Sequence, residues 1–459
     1  MSQTKAQLID AAATFTISSD ASFNSVSIGK GANSVTGNTV LGENALDASV
    51  SGVDNTAVGK DALTELTSGA DNTGVGHGSL AALTTGSHNT AIGTESMDAL
   101  STGSHNTGLG KAALGSLTTA DNNTAIGSGT LGLNTTGSNN TAVGRSALVE
   151  NTTGSSNVAI GANALDANTT ASNNTAVGLG SIGTNTTGTS NSALGFGSLG
   201  GNTTANNNTA VGYLSLNANT TGTQCVAVGS LALDANTTAN NNVAVGHNSL
   251  SANTTGNSNI AMGSGALMVS TTASNNTGLG HEALTANTTG AQCTAVGRKA
   301  LAANTTGINN TAIGESAMLT ATTAQDCVAV GREALKRLTT GDDNTAIGTE
   351  AGKEITTGAR NTAVGYLSQF TQTTGSNNTS MGESSLKLLT TGDDNTCIGR
   401  EAGKNITTAN DNTAVGAEAL KVNTTGTQNV AVGANALDAN TTADNNVACG
   451  YAALSANST

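Results

Sequence analysis

Cysteine and histidine are the side chains here with the chemistry to hold a metal, form a disulfide or attack a substrate. Both are scarce. Cys225, Cys293, Cys327, Cys397 and Cys449 stand far apart along the chain. None forms a Cys-x-x-Cys pair, the spacing by which a short loop delivers two thiolates to one centre. His88 and His105 lie seventeen residues apart, while His77, His247 and His281 are widely separated from one another. The acidic residues are dispersed rather than grouped as in polysaccharide-cleaving enzymes, and no Ser/His/Asp set or phosphate loop stands out. The expectation is therefore of no catalytic residue, no cofactor and no metal ligand. The densest charge is Arg332, Glu333, Lys336 and Arg337, a candidate surface contact.

Composition narrows the partners. Among 459 residues, 10% are charged and 2% aromatic, proline is absent, and the net charge is −14. A nucleic-acid binder needs a basic stripe to meet the phosphates, and 16 scattered Lys and Arg do not make one. No apolar run approaches the roughly 20 residues of a membrane helix. The first residues, Met1 to Asp20, hold one Lys and no continuous apolar segment, so they do not read as a secretory signal.

What positions these side chains is a repeat. The motif Asn-Thr-Ala-Val-Gly returns with its glycine at Gly42, Gly59, Gly76 and so on to Gly450, at every seventeenth position without insertion or deletion. An unbroken period means that every unit takes the same place in a stack. His88 and His105 fall at the same place in successive units, so they would stack. An earlier copy of the motif, Asn24 to Gly29, precedes Gly42 by less than one full period. The expected fold is all-β, a parallel β-solenoid (β-roll or β-helix) of about 25 coils. Residues 1–23 would form an N-terminal attachment or capping segment, and residues 24–459 the solenoid.

Counting from that glycine as zero, position −1 is aliphatic (Val58, Ile92, Leu109, Val143) and +4 is mostly Leu (Leu63, Leu148, Leu233, Leu301). Strand alternation places −1 and −3 together, and with +4 they read as the inward column. Position −2 is small throughout, including Ala57, Ala142, Ala227 and Ala329. It reads as the outward face, where smallness would let a second chain approach, so these four are candidate oligomer contacts. The glycine at zero suits a corner of positive φ or close approach. Gly352 and Gly403 replace the +4 Leu, and both coils carry Ile at +7, Ile355 and Ile406. The bulk has moved along the coil. Through the middle of the chain +7 is Asn (Asn134, Asn151, Asn168, Asn185), and identical amides one coil apart can bond in a ladder.

Units such as Asn157-Val158-Ala159-Ile160-Gly161 and Asn429-Val430-Ala431-Val432-Gly433 resemble the head repeats of YadA-like trimeric adhesins. The opening Met1-Ser2-Gln3-Thr4-Lys5-Ala6-Gln7-Leu8 and the repeat-rich chain resemble tail-fibre and virion structural proteins of marine phages, cyanophages above all. These resemblances imply a left-handed solenoid in a homotrimer, joined to other virion proteins through its N-terminus. They place it on the virion surface or otherwise extracellular. The expected function is a non-enzymatic fibre, a rigid rod that can touch a host-surface glycan or protein, with neither nucleic-acid binding nor membrane insertion. The alternative is a bacterial cell-surface trimeric adhesin or surface filament. A remoter one is an ice-binding solenoid built on the Thr pairs at +8 and +9, although adjacent residues point to opposite faces.

Overall fold

The computed structural model describes residues 20–458. Most of the expected N-terminal attachment segment, residues 1–19, and Thr459 lie outside the described residues. The chain is all-β, a parallel β-solenoid of about 24 turns with a 17-residue repeat and almost no helix. It divides into two compact units, Met1–Thr187 and Gly188–Thr459.

The first unit begins with a hairpin. Strand β1 (Ala21–Phe23) pairs antiparallel with β2 (Val26–Gly29) across Asn24 and Ser25, both at positive φ, as a tight hairpin turn of this kind requires. β2 then pairs antiparallel with β3 (Thr39–Gly42), Ile28 opposite Leu41. The earlier motif copy at Asn24 to Gly29 therefore pairs antiparallel, unlike the coils that follow it. The left-handed pair at 24–25 and the shortened step to Gly42 turn the strand direction over, so the segment lies across the end of the first coil. The parallel register starts at β3 and continues from β4 (Thr56–Val58) to β11 (Thr175–Val177). The second unit runs from β12 (Ser192–Leu194) to β27 (Val447–Cys449), again one strand per coil in parallel, with Val226, Ala227 and Val228 opposite Val243, Ala244 and Val245.

Each coil strand is short: Thr, Val, Ser or Ile, then a small residue, then an aliphatic one. β-branched residues favour this pleated conformation. The side chains alternate, but the other way round from the expectation. Position −2 is the buried one: Ala57, Ala142, Ala227 and Ala329 are each 0% exposed within their own chain. Position −1 faces out, with Ile92 40%, Ile160 41% and Leu194 51% exposed. The four alanines are therefore core residues, and their methyl groups are not available to a second chain. The reason is the width of the coil. The +4 side chain already fills the interior, and a Cβ added at Gly278, a −2 position, would stand 3.4 Å from Leu267 Cγ. The wall opposite a buried Leu has room for a methyl group and little more.

The corners explain the rest of the pattern. Gly93 at position zero has φ +137, and a Cβ there would stand 2.5 Å from the carbonyl oxygen of Gly110 in the next coil. Further left-handed residues recur at +2, +4 and +12, as in Glu95, Met97 and His105. Holding Leu in that region, as at Leu63, Leu80 and Leu148, costs of order 1–3 kcal/mol. Complete burial of the side chain, about 1.5–3 kcal/mol, offsets it.

Candidate functional site

The outward face of the coil strands is built from −3 and −1. In β12 to β27 the −3 residues are Thr, Ser, Val or Ile, and the −1 residues are Val, Ile, Leu and Met, with Cys449 at the last strand. None of these positions carries a charge or an amide, although 10% of the chain is charged. The same holds in β4 to β11 of the first unit. The larger members stay open, among them Met262 at 45% and Ile347 at 43%. A sheet face turned to water normally mixes polar and charged side chains with apolar ones. This one does not.

Two amide ladders run behind it. The +7 ladder expected from the sequence is present: Asn151 Nδ2 donates to Asn134 Oδ1 at 3.0 Å, and Asn168 Nδ2 to Asn151 Oδ1 at 2.8 Å. A second ladder at −4 was not foreseen. The Asn72 backbone N–H and Nδ2 both donate to Asn55 Oδ1, at 2.9 and 3.1 Å, and Nδ2 also reaches the carbonyl of Gly86. The signal was the Asn that opens nearly every Asn-Thr-Ala-Val-Gly unit. Cys225, Cys293 and Cys327 occupy this ladder. Cys225 still takes part through its backbone, its N–H donating to Asn208 Oδ1 at 2.9 Å, and its thiol lies 3.4 Å from the Ala239 carbonyl. All five cysteines are free, and only Cys449 is exposed. Burial pushes the Cys327 and Cys397 thiols up to about 12 and raises those of Cys225 and Cys293, which disfavours the nucleophilic thiolate.

The structure brings Arg332, Glu333, Lys336 and Arg337 to one surface, and it supplies their counter-charges from the same chain. Lys336 Nζ meets Glu333 Oε1 at 2.9 Å, and Lys353 Nζ meets Glu333 Oε2 at 2.7 Å. Arg332 pairs with Glu350 and Arg337 with Glu354, both at 2.7 Å. The Lys353 and Lys336 ammonium groups hold Glu333 down to about 2. The sequence reading missed a second copy of this arrangement. Glu401 receives Lys404 at 2.8 Å and Lys421 at 2.7 Å, Arg400 pairs with Glu418, and Glu401 is likewise held at about 2. The signal was available, since Arg400, Glu401 and Lys404 repeat Arg332, Glu333 and Lys336 at +1, +2 and +5.

His88 and His105 stack as their shared repeat position implied, ring centroids 4.8 Å apart and planes 13° from parallel, with Asp71 Oδ2 3.7 Å from His88 Nδ1. Lone pairs of parallel rings point side by side rather than at a common ion. Among the described residues no group of three His, Cys, Asp or Glu is placed to hold a metal. His247 and His281 flank a depression of about 140 Å³ that also touches Ser264, Gly265 and Glu282, below the roughly 300 Å³ at which small-molecule pockets begin. The Thr pairs divide as adjacency required. The +8 hydroxyl is taken up inside the fold, Thr135 Oγ1 donating to the Thr152 carbonyl at 3.0 Å, and +9, as at Thr136, faces water.

No protein-family model matches the chain, and no curated protein matches it either.

Proposed function

We propose that this protein is a non-enzymatic structural fibre, a self-associating solenoid that forms part of a virion appendage. The observation that carries this reading is the uniform repeat. Within each unit, β4 to β11 and β12 to β27, like coils succeed one another, and their side chains are spent on ladders, corners and ion pairs internal to the chain. Such an architecture supplies length and stiffness by repetition. Three copies form the working unit, since each coil buries only one or two large aliphatic side chains and a few methyl groups, thin support for the cost of ordering its backbone. Host-surface contact, where it occurs, is made at the charged corners around Arg332, Glu333, Lys336 and Arg337, because exposed turns carry recognition more often than cores do.

Immunogold electron microscopy with antibodies against the purified chain tests the reading. Label on appendages of virus particles is expected. Label confined to bacterial cell surfaces would make the protein an adhesin or surface filament instead, and label only inside cells would overturn both. Replacing Arg332, Glu333, Lys336 and Arg337 together with Ser tests the corner contact. Cell or particle binding should fall, and full-strength binding by a folded variant would remove those corners from the account.

A further inference from the structure

We infer that the outward strand face, positions −3 and −1, is the surface on which copies of this chain meet, with their axes parallel and each coil against its equivalent. The inference rests on the trimeric reading above and specifies the surface and the orientation.

Three observations carry it. The first is the missing charge. Every coil strand from β12 to β27 presents Thr, Ser, Val or Ile at −3 and an aliphatic residue or Cys449 at −1, while the charges of the same coils sit at corners such as Arg332, Glu333 and Lys336. A charge buried at an interface without a partner is strongly destabilising, so its exclusion along a whole face is what a dry contact demands. The second is area. Each partly exposed Val, Ile, Leu or Met leaves roughly 50–80 Å² of surface in water, so the strands of the second unit offer on the order of 1,000 Å² per copy; divided between two neighbours, that buries about 1,000 Å² in each pairwise contact, the least a specific interface needs. The third is spacing. The face is a ladder with one rung per coil, and a partner that fills it along its length must carry rungs at the same interval. A second copy does so by construction.

Orientation follows from symmetry. Three copies close on themselves only about a threefold axis. If the whole ladder of each copy is to be in contact, that axis runs along the ladder, and the three chains point the same way. Rung then meets the same rung: Met262 meets Met262, and Cys449 meets Cys449.

The test uses the full chain. Ile313→Glu with Ile347→Glu places two charges at −1. Ser230→Glu with Thr349→Glu places two at the neighbouring +1 corner, off the face. By sedimentation velocity, with circular dichroism to confirm that β structure is kept, the −1 pair should convert the oligomer to monomer and the +1 pair should leave it assembled. The milder Val228→Thr and Val245→Thr pair, a residue found at −3 in many coils, should weaken association without threatening the fold. A wild-type chain that is monomeric would overturn the trimeric reading and this inference together. An oligomer that resists both sets of −1 changes would overturn this inference alone. Orientation is read from Cys449. Copper-catalysed air oxidation, in which two thiols lose their protons and two electrons to oxygen, should link Cys449 of neighbouring copies and double the mass on a non-reducing gel. An oligomer that gives no such link, while Cys449 remains reactive to maleimide, would contradict the parallel arrangement.

Discussion

Ile355 occupies the space that a side chain on Gly352 would need: a Cβ built on Gly352 would stand 3.0 Å from Ile355 Cδ1 and 2.9 Å from Leu335 Cδ2. Gly352 also has φ +57, so it spares this coil the left-handed Leu found in most others. Gly403 and Ile406 repeat the relationship, with a Cβ on Gly403 standing 2.9 Å from Ile406 Cδ1. In each of these coils the Ile at +7 takes the space that a +4 side chain would need, whereas Leu335 and Leu338 share the coil preceding that of Gly352. Gly352→Leu should therefore overpack the coil and cost about 1–3 kcal/mol. Adding Ile355→Asn, which rebuilds the pattern of the middle coils, should recover most of it. Denaturant midpoints of the two variants check this, and a double variant less stable than the single would show that the positions are independent.

The −4 ladder makes a prediction of opposite sign. Cys225, Cys293 and Cys327 interrupt a column of amides in which each Asn accepts from one neighbour and donates to the other. Cys225→Asn, Cys293→Asn and Cys327→Asn should each raise stability, by about 0.5–1.5 kcal/mol for a regained hydrogen bond. Asn106→Ala, which strands the Asn123 N–H and the Ala120 carbonyl, should lower it by about 1–3 kcal/mol. Thermal unfolding followed by circular dichroism distinguishes the two directions.

Thiol accessibility follows from the same burial. Of the five cysteines only Cys449 is exposed. A colorimetric thiol reagent should titrate no more than one group per chain in buffer, Cys449, and five in guanidinium. Rapid reaction of three or more in buffer would mean that the −4 column is open to solvent.

The paired glutamates set an acid limb. Glu333 and Glu401 are held at about 2 against an ordinary 4.5 by the lysines beside them. A carboxyl depressed in the folded state stabilises above its unfolded value, and that contribution is lost as pH falls through the folded one. Unfolding temperature should therefore drop between about pH 4.5 and 2, and drop less in the Glu333→Gln, Glu401→Gln variant. Burial raises Asp98, Asp166 and Asp234, which act with the opposite sign. The comparison with the variant isolates the two glutamates. Equal profiles would mean that the lysine contacts contribute nothing to folding.

The period, the parallel stack, the corner glycine, the +7 ladder and the exchange of Leu for Ile at Gly352 were legible in the sequence, because each is a residue type recurring in register. The facing of the strand was not. Alternation says that Ala57 and Val58 point opposite ways, but not which of them points in, and hydrophobicity favoured the wrong one. The deciding residue is Leu63, left-handed and fully buried: a Cβ on Gly74, the −2 position of the next coil, would already stand 3.4 Å from Leu63 Cγ. So short a strand carries no sign of that. The antiparallel hairpin at Asn24 and Ser25 escaped for a similar reason, since Val26–Gly29 matches the repeat in composition but pairs in the reverse direction.

The native mass of the wild-type chain tests the central claim most directly. Sedimentation equilibrium over a wide concentration range should give three times the 44.5 kDa chain mass, without dissociation at the lowest concentration that can be followed. A single stable species of 44.5 kDa would contradict the account, because the uncharged aliphatic face from Leu194 to Cys449 would then stand in water with nothing against it.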